Sequence, residues 1–293
     1  MSVSAPVHMP SFDGATGWLN SDPLTLAELR GHVVLVNFWT LTCINWLRQE
    51  PYVRAWSQAY RDDGLIVVGV HTPEFSFEHD VDRIRQATKE RGIDYPVAVD
   101  SDYEVWSAFA NRYWPALYFA DAEGLIRDQH FGEGRYEQSE RVIQGLLGVE
   151  RELVSVEGRG VEKAADWDNL RTPETYLGYA RSDQSASLKG EWTVGSENVV
   201  LDEAGGSISY RFHARDANLV LSPGAHEPIP FRVLVDGAPP GPSHGVDVDE
   251  EGNGLLGDGR MYQLVRERDA VRERTLEITF LEPGAEAYSF TFG

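Results

Sequence analysis

Two continuous apolar runs early in the chain restrict its fold more than any other feature. Val33–Trp39 and Leu65–Val70 are strand-sized and apolar at almost every position, which indicates strands buried on both faces of a sheet. Helical spacing follows each run, over about Ile44–Arg61 and Val81–Arg91. Buried strands that alternate with helices predict an α/β architecture.

The residues that follow complete this first domain. They predict one more helix, a hairpin and a closing helix, and so a mixed sheet with helices on both faces over residues 1–148. The predicted elements are a helix capped by Ser101 or Asp102 and ending near Arg112, strands Ala116–Ala120 and Leu125–His130 around the turn Asp121–Gly124, and a helix over Tyr136–Leu147.

The pattern changes behind residue 185. Helical spacing disappears and short β-type runs recur between Gly and Pro turns, which predicts an all-β sandwich or jelly roll over residues 186–293. The stretch 149–185 lacks periodicity and carries Pro173, so we expect a linker there. The predicted strands are Leu188–Val194, Ser207–His213, Asn218–Ser222, Phe231–Val235, Met261–Val265, Thr275–Leu281 and Tyr288–Phe292.

Charge and hydropathy exclude several classes of partner. The chain has 47 acidic and 26 basic residues, a net charge of −21, which disfavours nucleic acid and anionic membrane surfaces. No apolar run is long enough to span a bilayer. Met1–Pro6 lacks the basic flank and apolar core of a secretory signal, so a cytoplasmic location is expected, or an extracytoplasmic one if a leader has been removed.

The chain has one cysteine, Cys43, which excludes an internal disulfide and any metal site built from several cysteines. Cys43 follows a buried strand and begins a helix. The free N–H groups and positive end of a helix stabilise a thiolate, so this position favours a nucleophile. The alternative is an inert thiol that behaves as a small apolar residue. No metal site and no cofactor is predicted.

Several strings carry a resemblance to a known family. A strand, Trp39-x-x-x-Cys43, a helix containing Pro51 and a late Pro115 that opens a strand follow the order of the thioredoxin superfamily, and the insertion from Ser76 to Gly92 resembles its TlpA/ResA and AhpC-TSA-related branch. Four strings resemble the soluble region of DipZ-type proteins: Phe38-Trp39-Thr40-x-x-Cys43-Ile44-Asn45, Gly69-Val70-His71-Thr72-Pro73-Glu74, Asn111-Arg112-Tyr113-Trp114-Pro115 and Phe131-Gly132-Glu133-Gly134. The resemblance implies a thioredoxin-like domain followed by a jelly roll similar to a carbohydrate-binding module.

The chain departs from this family at the centre of the site. The family carries Cys-x-x-Cys, whereas this sequence reads Cys43-Ile44-Asn45-Trp46. A thioredoxin cycle needs a second thiolate to attack the mixed disulfide and release the product. With Trp46 in the place of that thiol, this step cannot occur within the site.

The resemblance also implies the remaining site residues. It predicts a cis bond between Trp114 and Pro115 that places the proline against Cys43 and lets the Trp114 backbone pair with a substrate strand. Trp46 either fills space beside the thiol or forms an apolar contact surface for a partner. Glu74 is a candidate proton acceptor, with an exposed loop residue as its alternative.

Two further sequence features point to other functions. Thr40 lies three residues before the cysteine, as the threonine does in peroxiredoxins, but Val36 occupies the proline position of that motif. In the second domain Trp192, Tyr210 and Phe212 are candidates for stacking on sugar rings, although alternating aromatic residues in strands are usually core.

The sequence therefore predicts a thioredoxin-like monothiol redox protein that forms mixed disulfides through Cys43. Its expected partners are protein or small-molecule thiols and disulfides, with carbohydrate as a candidate ligand of the second domain. Two alternatives stay open, a degenerate thioredoxin-fold binding module and a one-cysteine thiol peroxidase.

Overall fold

The computed structural model describes residues 7–182 and 184–293. The stretch 1–6, expected to lack a secretory signal, and Asp183 of the predicted linker lie outside the described residues. The chain divides into two compact units between Glu162 and Lys163. This division falls inside the stretch 149–185, whose role as a linker stays a prediction.

The first unit is built on one six-stranded mixed sheet, as predicted. Its spatial order is β1-β4-β3-β2-β5-β6. The three central strands β2, β3 and β4 run parallel, while β1, β5 and β6 pair antiparallel with their neighbours. The strands are β1 (Gly17–Leu19), β2 (Val33–Trp39), β3 (Leu65–His71), β4 (Val97–Val99), β5 (Ala116–Ala120) and β6 (Ile126–Phe131).

Helices pack on both faces of this sheet, as predicted. On one face, Leu29 and Val105 pack with Phe38 in a single apolar cluster. On the other face, Asn37 of the sheet donates to the Gln49 side chain at 2.9 Å. The helices are α1 (Leu26–Leu29), α2 (Ile44–Ala59), α3 (Val81–Glu90), α4 (Glu104–Ala108) and α5 (Tyr136–Leu147). No helix within the described residues is both long enough and apolar enough to cross a membrane.

One predicted helix is shorter than expected and is capped differently. The pattern predicted a cap at Ser101 or Asp102, but α4 begins only at Glu104, after Tyr103 with a φ of +60°. The cap comes from the residue before the predicted ones, because the carboxylate of Asp100 accepts from the backbone N–H groups at the start of α4, those of Val105 and Trp106, each at 2.9 Å.

The segment after α5 packs on the first unit through one buried carboxylate. Glu140 is 2% exposed. It accepts hydrogen bonds from Trp56 Nε1 at 3.0 Å, from the Tyr60 hydroxyl at 2.5 Å and from the backbone N–H of Val154 at 2.8 Å. Residues just beyond Leu147 therefore supply part of the core hydrogen bonding of this unit.

The second unit is a sandwich of antiparallel sheets, in agreement with the predicted all-β class. One sheet has the order β15-β12-β17-β10-β9, with β7 also paired to β17, and the other has the order β14-β13-β16-β11-β8. One apolar core is shared by both sheets and includes Leu219, Phe231, Ile278 and Phe290. The strands are β7 (Thr175–Tyr176), β8 (Ser187–Lys189), β9 (Trp192–Val194), β10 (Val199–Leu201), β11 (Ser207–His213), β12 (Asp216–Ser222), β13 (Ile229–Val235), β14 (Asn253–Leu256), β15 (Arg260–Arg266), β16 (Glu273–Phe280) and β17 (Glu286–Phe292).

Candidate active site

Cys43 is the N-cap residue of α2, as the sequence predicted. A tight turn precedes it, in which its backbone N–H donates to the Thr40 carbonyl at 3.4 Å, and its own carbonyl accepts from Leu47 at 2.9 Å. The residue is half-buried, so part of it lies at the surface of the unit. This position places the thiol at the positive end of a 16-residue helix.

The peptide bond between Trp114 and Pro115 is cis, as predicted. The Cys43 thiol donates to the carbonyl oxygen of Trp114 at an Sγ–O distance of 3.7 Å. The Trp114 indole is held away by its own contacts, because Nε1 donates to the Thr72 carbonyl at 3.0 Å and the ring packs on Trp106 with centroids 4.3 Å apart. The backbone of Trp114 is thus the part of this residue that contacts the thiol.

A chain of hydrogen bonds fixes the loop that carries Pro115. The Pro115 carbonyl accepts from Gly132 at 2.8 Å, and the Gly132 carbonyl accepts from Gln49 Nε2 at 3.0 Å. Gln49 in turn accepts from Asn37 of β2 at 2.9 Å. The proline loop, the loop after β6, helix α2 and the central sheet are therefore joined directly.

A buried ion pair supports the same loop. Arg48 of α2 contacts Glu133 at 2.9 Å, with side chains only 2% and 6% exposed. Burial raises the pKa of Glu133, while the charge of Arg48 opposes that shift. The string Phe131-Gly132-Glu133-Gly134 thus marks a loop attached to α2 through both its backbone and its side chains.

Trp46 fills the core beside the thiol and does not reach the surface. It is 0% exposed and stacks on Trp39 with ring centroids 4.2 Å apart. The Arg91 guanidinium lies over the Trp46 ring at 5.3 Å from its centroid. Of the two roles predicted for Trp46, its full burial favours filling space beside the thiol, because a fully buried ring presents no surface to a partner.

The carboxylate buried in this region is Glu78, which the sequence did not single out. Glu74 is only half-buried, and its backbone N–H donates to Glu78 Oε2 at 2.7 Å. Glu78 is 0% exposed. Burial, and then the charge of Glu74, raises the pKa of Glu78 to about 7. No regular spacing leads to Glu78, and its only sequence signal is an acidic residue between Phe77 and His79 in the insertion.

Two polar residues of the motif strings, His71 and Arg112, lie in very different environments. His71 is 0% exposed and lies edge-on to Trp39 at 4.7 Å between ring centroids. Burial, and then the nearby His79, lowers the pKa of His71 to about 3, so the ring is neutral at physiological pH. Arg112 is exposed.

An exposed aromatic pair flanks the proline loop. Tyr113 and Phe131 are 54% and 39% exposed. Their ring centroids lie 5.2 Å apart. Tyr113 precedes the Trp114–Pro115 bond, and Phe131 pairs with Ala116, which follows it. Sequence spacing alone gave no sign of this pair, because the two residues meet only through the β5–β6 register.

The aromatic residues proposed to stack on sugar belong mainly to the core of the second unit. Tyr210 and Phe212 are 5% and 1% exposed, so their faces are not open to a ligand. Trp192 packs partly against the same core, and its indole N–H donates to the Lys189 carbonyl at 3.1 Å. The burial of Tyr210 and Phe212 agrees with the core role that alternating aromatic residues in strands usually have. Within residues 7–182 and 184–293, no three His, Cys, Asp or Glu side chains are grouped to hold a metal ion.

Comparisons with known proteins agree with the two-part organisation. A model of the AhpC/TSA family matches residues 7–129, and a model described as a thioredoxin like C-terminal domain matches residues 182–293. A solution structure of a thioredoxin-like protein in the oxidised form aligns with 51% of this chain and 100% of its own, at 31% identity and a TM-score of 0.44.

Two curated relatives cover different shares of the chain. Protein DipZ of Mycobacterium bovis is 32% identical over 312 residues, which is 97% of this chain and 42% of DipZ, so the chain spans about two fifths of that relative. Thiol-disulfide oxidoreductase YkuV of Bacillus subtilis is 35% identical over 140 residues, which is 47% of this chain and 93% of YkuV. The predicted fold and family resemblance are confirmed. The chain belongs to the thioredoxin-like family that includes the thiol-disulfide oxidoreductase YkuV.

Proposed function

We propose that this chain is a monothiol redox protein that forms mixed disulfides through Cys43. The observation that carries the proposal is the position of the thiol, half-exposed at the N-cap of α2 and in contact with the Trp114 carbonyl beside the cis proline. The name of the relative YkuV, a thiol-disulfide oxidoreductase, supports redox chemistry at this site.

The reaction is thiol–disulfide exchange. The Cys43 thiolate attacks one sulfur of a disulfide, so a bond forms between Sγ and that sulfur while the original S–S bond breaks. The second sulfur leaves as a thiolate and takes up a proton. Because Cys43 is the only cysteine of the chain, an external thiol must attack the mixed disulfide to restore the free thiol.

The other site residues have separate roles in this proposal. The backbone at Trp114 and Pro115 pairs with the extended segment that carries the substrate sulfur, since this backbone already contacts Sγ. Glu74 accepts the thiol proton from its half-buried position in the loop after β3. Trp46 packs in the core under the first turn of α2 and makes no substrate contact.

The binding-module alternative is favoured by one observation of its own. The exposed rings of Tyr113 and Phe131 form an apolar surface that needs no thiol chemistry to bind a partner. The peroxidase alternative has less support. Thr40 is fully buried, its hydroxyl accepts from the Glu74 N–H at 3.3 Å, and it also hydrogen-bonds with Glu78, so it is already engaged inside the unit.

An adduct experiment tests the proposal. The full chain is mixed with a pyridyl disulfide peptide, and the intact mass is followed over time. We expect one peptide to attach, no attachment in Cys43→Ser, and release of the peptide when glutathione is added. Absence of the adduct at every pH from 6 to 9 would favour the binding module. Consumption of hydrogen peroxide with added thiol, without a peptide adduct, would favour the peroxidase.

A further inference from the structure

Glu78 joins two segments that meet at the thiol. Its Oε1 accepts from the backbone N–H of Thr42 at 3.0 Å and from the Thr42 hydroxyl at 2.9 Å. Its Oε2 accepts from the backbone N–H groups of Glu74 at 2.7 Å and Phe75 at 2.9 Å. Thr42 is the residue immediately before Cys43, so this carboxylate ties the turn that carries the thiol to the loop after β3.

We propose that Glu78 is a positioning residue for Cys43, and that its ionised form holds the thiol-bearing turn in place. This rests on the proposed role of Cys43 as the nucleophile. An ionised carboxylate has acceptor capacity for all the hydrogen bonds it receives here. In a carboxylic acid the O–H oxygen is a weak acceptor, and only the hydroxyls of Thr42 and Thr40 can accept from that O–H, whereas the three backbone N–H groups cannot. Protonation of Glu78 therefore breaks part of the connection between Thr42 and the loop at Glu74.

The position of Glu78 makes this connection strong and sensitive to charge. The side chain is 0% exposed, so water cannot replace a lost partner. Hydrogen bonds from N–H and O–H groups favour the ionised form, while burial and the charge of Glu74 disfavour it. The two forms of the carboxylate thus interconvert near neutral pH, with a pKa of about 7.

Within residues 7–182 and 184–293, titratable groups lie around Glu78 on the loop after β3, on the turn before α2 and on its own segment. On the loop side the neighbouring carboxylate is Glu74, whose charge opposes ionisation of Glu78. On the side of the turn, residues 40–43 contribute one titratable group, the thiol of Cys43. The next charged side chains along its own segment are His79, Asp80 and Asp82, which are exposed, and Arg83, which pairs with Asp80 at 3.5 Å.

The test separates the position of the thiol from its ionisation. The rate of adduct formation with the pyridyl disulfide peptide is divided, at each pH, by the thiolate fraction measured from ultraviolet absorbance. In the wild-type chain this corrected rate should rise as pH increases through about 7, the pKa of Glu78. In Glu78→Gln the rise should be absent, and the rate should stay about tenfold below the wild-type plateau, because the amide leaves N–H groups unpartnered.

Three further variants serve as controls for the effect of Glu78→Gln on the corrected rate. Glu78→Asp keeps a carboxylate and should keep the rise with a lower plateau. Glu74→Gln should move the rise to lower pH, because it removes the charge that raises the pKa of Glu78. Glu123→Gln changes an exposed acidic residue of the β5–β6 turn and should match the wild type.

The outcomes distinguish this inference from the proposed function. If Glu78→Gln folds, as judged by circular dichroism, and keeps both the wild-type plateau and the rise, the positioning role is wrong while Cys43 chemistry stands. If Glu78→Gln does not fold, an unshifted rise in Glu74→Gln overturns the role instead. If the wild-type chain forms no adduct, the proposed function fails, and the role of Glu78 falls with it.

Discussion

The indole of Trp46 lies almost parallel to that of Trp39, with ring centroids 4.2 Å apart and planes 14° from parallel. Both rings are 0% exposed. The position that holds the second cysteine in the family motif is thus part of the apolar core in this chain. The aromatic stack, with the Arg91 guanidinium above the Trp46 ring, therefore occupies the place of the resolving thiol.

Trp46→Cys should rebuild the Cys-x-x-Cys motif. We expect an intramolecular disulfide with Cys43 and turnover in a disulfide-reduction assay driven by a dithiol reductase, because the mixed disulfide gains an internal resolving thiol. Removal of a buried indole should cost about 3–5 kcal/mol of unfolding free energy. Trp46→Phe is the matched control, with a smaller loss and no turnover. A folded Trp46→Cys chain that forms no disulfide would contradict a thioredoxin-type geometry at this site.

Substitution of Arg48 should destabilise the first unit through its buried partner. Arg48→Met leaves the Glu133 carboxylate buried without its ion pair, and we expect a loss of about 3–5 kcal/mol in unfolding free energy. The double variant Arg48→Met with Glu133→Leu should recover most of that loss, because neither charge then remains buried. Urea denaturation of Arg48→Met, Glu133→Leu and the double variant measures the coupling energy between the two side chains. If the loss of unfolding free energy in the double variant equalled the sum of the two single losses, the side chains would not interact.

His71 should make the first unit sensitive to acid. Its pKa is about 3 in the folded state against 6.5 in the unfolded chain, so the unfolded state binds the proton first as pH falls below 6.5. Above pH 6.5 the ionisation of His71 does not lower the free energy of unfolding. As pH falls from 6.5 toward 3, this free energy decreases, by about 2 kcal/mol at pH 5. His71→Leu keeps a similar volume and cannot titrate. The loss between pH 8 and pH 5 should be smaller in this variant by that amount, and an equal loss would exclude His71 as the cause.

The stability of the first unit on its own should depend on the residue at which a truncated chain ends. A chain that ends at Glu162 keeps the hydrogen bond from Val154 to Glu140 and the contact of Arg91 with Glu162, 3.8 Å apart. A chain that ends at Leu147 loses both. The buried carboxylate of Glu140 then has one hydrogen-bond donor fewer, which should lower the unfolding free energy by about 1–3 kcal/mol. Thermal melts of the two chains compare them. Equal stabilities would place the boundary near the earlier residue.

Strands with long apolar runs could be predicted, whereas very short ones could not. β2 was predicted at its observed bounds, because seven consecutive buried residues give a clear signal. β1, β4 and β10 have only three residues each and were missed, since their pairing comes from distant partners. The run Leu188–Val194 was predicted as one strand but divides at Gly190, where φ is +99° and a Cβ atom would lie 2.9 Å from Gly206 Cα.

The site shows the same division between local and distant signals. The helix-start position of Cys43 and the cis bond before Pro115 followed from motif strings, and both are confirmed. Glu78 was missed because its partners come from two separate segments, and a carboxylate in an irregular insertion has no spacing that marks it. Its importance appears only when the loop after β3 folds back on Thr42.

The hydrogen-bond chain from Asn37 through Gln49 to Gly132 and Pro115 sets what can be transplanted from this protein. If only the loop that carries Pro115 and the loop after β6 were grafted onto another protein, the side chains of β2 and α2 that fix the proline loop would be missing. The smallest segment set that keeps this loop in place is therefore β2, α2 and both loops together. A designed protein that carries these loops but has an apolar residue in place of Gln49 would lose the hydrogen bonds to Asn37 and Gly132, and the position of its Pro115 loop should be less well fixed.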